Sequence, residues 1–155
     1  MSSDIFHLLE KVLYDTNFVH TAFVRAYQPL YKIRTKMFGM NFNQLNKFCR
    51  EGIDNLESNY ETIHTHRIQI EECIGKRSFD IIIMYFDCLS MAMYALAEYS
   101  SIQMEYKSRR PMYLGESQFQ LDLFKQFRMK YEALGSEMNE IYKIQIVKKI
   151  INKAE

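Results

Sequence analysis

The sequence predicts an all-α protein, a single domain over residues 1–155 built as an up-down antiparallel four-helix bundle with long helices. Three observations carry this. Gly (5) and Pro (2) are scarce in 155 residues, whereas sheets need many tight turns that use both. Apolar side chains recur at steps of three, four and seven, which mark one face of an α-helix. Four such stretches fill the chain with short punctuation between them, and short links make successive helices antiparallel neighbours.

The first segment runs from Ser3 to Phe38. Ile5, Leu8, Val12, Val19, Phe23, Ala26, Leu30, Ile33 and Met37 share its stripe. Ser2 or Ser3 caps the start. Pro29 lacks a backbone donor and clashes one turn back, so a kink or break is expected near Tyr27. Asp15, Thr16 and Asn17 compete for backbone groups and weaken the middle. Gly39 closes the segment in a left-handed conformation.

The second segment runs from Phe42 to Ile74. Asn41 caps it, with Gln44 three residues on in the manner of a capping box. Leu45, Cys49, Leu56, Tyr60, Ile63, Ile70 and Ile74 form the stripe, and Gly52 interrupts it at a cost of about 1 kcal/mol against Ala. Gly75 ends it. The third segment runs from Phe79 to Lys107, capped by Ser78. Residues 81–97 (IIIMYFDCLSMAMYALA) are apolar almost all round, as in the central helix of a bundle. Residues 109–115 (RRPMYLG) form a loop, and Ser117 caps a fourth segment from Gln118 to Lys153. Phe127, Tyr131, Leu134, Met138, Ile141, Ile144, Val147 and Ile151 mark its buried side. Lys148, Lys149 and Lys153 suit the negative end of its dipole.

Charge and cysteine content narrow the function. A net charge of +1 argues against nucleic acid, whose binders carry a basic excess or stripe. Cys49, Cys73 and Cys88 are widely spaced and lack zinc or redox spacing, which fits reduced thiols in a cytoplasmic protein. The first residues, MSSDIFHLLEKV, do not read as a secretory signal. No Gly-x-Ser-x-Gly elbow and no Gly-rich phosphate loop is present, so neither an enzyme nor a cofactor is expected.

Two alternatives have named residues. Glu61-Thr62-Ile63-His64 is a Glu-x-x-His motif, which places a carboxylate and an imidazole on one helical face. Di-iron bundles use two such motifs plus two more glutamates. With Asp87, Glu98 and His20 as possible further donors, Glu61 and His64 sketch a core metal or small-ligand site, short of a full ligand set. Asp80, Asp87 and Tyr94 repeat at sevens, and that stripe is expected to be wet. The second alternative inserts residues 81–97 into a membrane. A span needs about 20 apolar residues, and Asp87 would cost roughly 2.5 to 3.5 kcal/mol at its centre, so a buried helix is the expectation.

Tyr (11), Phe (11) and Met (10) are abundant. Phe6, Tyr14, Phe18, Tyr27, Tyr31, Phe38, Met40, Met112 and Tyr113 lie off the core stripes. Aromatic and Met side chains concentrate at interface centres. The sequence therefore predicts a non-enzymatic interaction module, of adaptor, inhibitor, immunity or chaperone kind. It would bind a protein partner or itself as a homodimer. The expected anchors are Phe18, Tyr27, Tyr31, Met112 and Tyr113.

Overall fold

The computed structural model describes residues 2–31, 41–106 and 114–154. Those residues contain no strand and form five helices packed against one another, with one short 3-10 segment. The elements are α1 (Ser2–Tyr27), the 3-10 segment Gln28–Tyr31, α2 (Phe42–Thr65), α3 (Arg67–Ile74), α4 (Lys76–Tyr106) and α5 (Leu114–Ala154). The α-helical hydrogen bonding of α1 gives way at Gln28, one residue before Pro29. Gly39 and the 109–113 loop lie outside the described residues.

α4 is the central element, with its largest interfaces on α5 and α2. Its side chains explain this placement. Phe79, Ile82, Phe86, Leu89, Ala92, Met93, Leu96 and Ala97 are all essentially inaccessible. Each fully buried large side chain contributes about 1.5–3 kcal/mol. One narrow outer stripe remains in solvent: Asp80, Met84, Asp87, Met91, Tyr94 and Glu98. Its alternating steps of four and three are the complement of the buried pattern.

α2 lies along α4 in reverse order. Asn46 donates to the Ala97 carbonyl at 2.9 Å and to Ser101 Oγ at 2.8 Å. Arg50 meets Glu98, and the Tyr94 hydroxyl donates to Glu57. Further on, the Tyr60 ring faces Phe86 and His64 faces Phe79. At Gly52 the two helices come close, because a Cβ there would run into the tip of Met93.

The second predicted segment is two helices, not one. The ladder breaks at His66 (φ −105°, ψ 22°). His66 Nδ1 lies 3.0 Å from the Thr62 carbonyl, an acceptor only, so that nitrogen carries the proton. Thr62 and Thr65 hydroxyls also donate to carbonyls four residues back. Side chains that satisfy backbone groups in this way compete with the helix. Ile63 and Ile70 are buried on either side, so the apolar rhythm crosses the break without registering it.

Three predicted caps move, the first because α1 begins at Ser2, which puts Ser2 and Ser3 inside the helix. α4 starts at Lys76, straight after Gly75, which adopts φ +88°. Ser78 is inside its first turn. α5 starts at Leu114, so Ser117 is helical, buried, and accepts a hydrogen bond from the Gln103 amide of α4. Asn41 does cap α2, its Oδ1 accepting from the Gln44 N–H at 3.1 Å.

Candidate functional site

The outer stripe of α1 is set by the same rhythm that buries its inner one. Leu9, Val12, Leu13, Thr16, Val19, Phe23 and Tyr27 face the core. Lys11, Tyr14, Phe18, Thr21 and Arg25, again at alternating steps of three and four, are exposed. Tyr14 is 65% and Phe18 68% accessible, although burying rings of this size is strongly favourable. Among the described residues, Lys11 and Arg25 have no ion-pair partner. They stand 14 residues apart, about 21 Å along the helix.

The aromatic pair stands beside two hollows. The smaller, about 250 Å³, lies between α1 and α2 at Asp15, Phe18, Val19, Asn55, Ser58 and Asn59. The larger, about 420 Å³, opens between α1 and α5. Its α1 wall is Leu13, Tyr14, Thr16, Asn17 and His20. α5 contributes Gly135, Met138, Asn139 and Tyr142, and Tyr85 of α4 also lines it. No lining side chain is acidic, lysine or arginine.

Two of the lining rings, His20 and Tyr85, belong to an aromatic cluster with Tyr131. The Tyr131 ring meets the His20 ring edge-on, centroids 5.1 Å apart, and Tyr85 meets both His20 and Tyr131 the same way. The Thr16 hydroxyl is taken up by the Val12 carbonyl at 2.7 Å. His20 Nε2 is buried and has no hydrogen-bond partner. Burial pulls the His20 pKa below its usual value, against the opposite pull of the Glu132 carboxylate, so the ring is neutral at pH 7. Burial also holds the Tyr85 phenol well above its usual range.

The structure separates the sequence-predicted site residues. Phe18 is on the surface. Tyr27 is a correction: it is 4% exposed. Its ring packs on Phe23 and Phe124, with the Arg128 guanidinium 5.7 Å from its centroid. Steps of three and four from Val12 through Phe23 place it inward. Tyr31 closes the 3-10 segment and its side chain lies outside the described residues, as do Met112 and Tyr113.

The proposed metal donors do not converge. Glu61, His64, Asp87 and Glu98 are all exposed. The His64 ring lies tilted against Tyr60 at 4.4 Å, and the Asp87 pKa is raised first by partial burial, with His64 opposing. Glu98 is held by Arg50 at 2.8 Å and sits eleven residues beyond Asp87, about 16 Å along α4. Among the described residues no three His, Cys, Asp or Glu side chains form a group that could hold a metal. α4 is long and apolar enough over Lys76–Glu105 to cross a membrane, and half of that window is buried by the other helices.

Sequence reading missed the cleft. Asn17 read only as a weak point in the helix, His20 only as a spare metal donor, and Asn139 not at all. The available signal was Gly135, a residue that disfavours helix placed among good helix formers. The chain matches no protein-family model, no curated protein and no solved structure.

Proposed function

We propose that this chain is a non-enzymatic protein-interaction module of the cytoplasm, an up-down four-helix bundle that docks an acidic amphipathic helix of a partner protein along the outer stripe of α1. One observation carries the reading: Tyr14 and Phe18 stand one turn apart, each about two-thirds exposed, between the unpaired Lys11 and Arg25. Exposed apolar groups clustered on a soluble surface mark contact sites. Aromatic side chains anchor helix-in-groove contacts, in which a partner presents residues every three or four positions. The two cations favour a partner with carboxylates near each end of the contact, which steers encounter and fixes register.

The test is selection from a displayed library of helical peptides against wild-type protein, followed by titration against the double variant Tyr14→Ser/Phe18→Ser. Enriched peptides are expected to be acidic and to lose at least about tenfold in affinity for the double variant, roughly the value of one anchor. Sedimentation of the free protein tests the homodimer: a dimer that the double variant abolishes would make a second copy the occupant. A monomer that enriches no peptide and binds no apolar-surface dye overturns the reading.

A further inference from the structure

We infer that the cleft between α1 and α5 is a small-molecule site for an uncharged, flat heteroaromatic ring of nucleobase type. The cleft shares Tyr14 with the docking stripe but not Phe18, Lys11 or Arg25, so its test acts at Gly135 and Asn139 and leaves that stripe intact. The cleft volume, about 420 Å³, lies within the range of roughly 300–1,000 Å³ typical of ligand sites.

The lining selects the ligand class. Tyr14, His20, Tyr85 and Tyr142 supply aromatic faces and edges, on which flat rings stack without regard to their exact identity. Asn17 on one wall and Asn139 on the other each offer an amide donor beside an amide acceptor. That pairing matches the adjacent donor and acceptor on a base edge. With no acidic, lysine or arginine side chain in the lining, neither a phosphate nor an ammonium group finds a partner. His20 lines the cleft, and its Nε2 is buried without a hydrogen-bond partner, a polar capacity left unfilled where most buried polar atoms are satisfied.

Gly135 gives a reason for the open space. It lies inside α5, where Gly disfavours helix, and a Cβ built there touches nothing within 4 Å. Because Gly135 is one of the lining residues, a side chain there would add bulk at the wall of the cleft.

The experiment is saturation-transfer NMR with 2-aminopurine as the base probe and phenol as a ring with one polar group. Wild-type protein is expected to bind 2-aminopurine with a Kd at or below about 1 mM and phenol more weakly. Gly135→Leu should weaken the base at least about tenfold while melting no lower than wild type. Asn139→Ala, at an exposed position, should weaken it with the fold intact. Absence of transfer from the wild-type protein overturns the inference. So does binding that survives in both folded variants, and so does phenol binding as tightly as the base.

Discussion

The phenol of Tyr131 donates a hydrogen bond to the phenol of Tyr27 across 3.2 Å, joining residues 104 apart in the chain. Tyr27 in turn donates to Glu132 Oε1 at 3.3 Å. The order sets an asymmetry. Tyr27→Phe strands the buried Tyr131 hydroxyl and should cost about 1–3 kcal/mol, whereas Tyr131→Phe leaves Tyr27 its own acceptor and should cost about 1 kcal/mol. The double Phe variant should lose less than the sum of the two, as measured by urea unfolding. Burial raises the pKa of both phenols, and of Tyr85. Unfolded phenols release protons near pH 10 while the folded ones hold theirs. Stability is therefore full below pH 10 and falls as pH rises above it, less steeply in the double variant.

Gly52 of α2 faces the side-chain tip of Met93 in α4. Gly52→Ala gains about 1 kcal/mol of helix propensity but drives its methyl into the Met93 terminus. Met93 is fully buried, so its tip has little room to yield, and such overpacking costs about 1–3 kcal/mol. A net loss of about 1 kcal/mol is expected by chemical denaturation. Gly52→Ala/Met93→Leu, which removes the obstructing methyl, should recover most of it.

Gly75 takes φ +88° and ψ 152°, a combination open essentially to glycine alone. Its N–H closes α3 by bonding to the Glu71 carbonyl at 2.8 Å, and its carbonyl accepts from the Phe79 N–H at 3.1 Å. Gly75→Ala meets no steric obstacle, so its cost is backbone strain, about 1–3 kcal/mol. Hydrogen exchange should show the added opening at the α3–α4 corner first.

His20 sets an acid limit. Its pKa is lowered chiefly by burial, and the Glu132 carboxylate opposes that shift. The unfolded chain therefore binds a proton near pH 6.5 that the folded chain refuses. The stability linked to this residue is complete above pH 6.5 and is lost as pH falls through the lower folded value. His20→Gln removes the group, so its urea midpoint should decline less between pH 7 and pH 5 than that of the wild type. Equal declines would show that the ring carries no such linkage.

The helices were legible because apolar spacing is a direct readout of which side is dry. It gave the all-helical class, the central role of 81–97 and the exposure of Asp87 and Phe18. It could not give the break at His66, where the apolar positions keep step while threonine and histidine side chains disturb the backbone. Tyr27 was legible too, because steps of four and three from Val12 through Thr16, Val19 and Phe23 reach it. Taking it as an outward anchor ran against that rhythm, which its burial against Phe124 follows. The cleft depends on Asn17, His20, Gly135 and Asn139 meeting from two distant segments, a proximity at which only the out-of-place Gly135 hints locally.

The chain has no Trp, and the rings of His20 and Tyr85 meet Tyr131 edge to face. Near-ultraviolet circular dichroism of this protein is consequently a phenol spectrum. The fixed, asymmetric surroundings of Tyr27, Tyr85 and Tyr131 should dominate its sign and size, while an outward-facing ring such as Tyr14 adds little. The molecule thus contains an intrinsic optical gauge of side-chain order, distinct from the amide signal that reports only whether the helices exist.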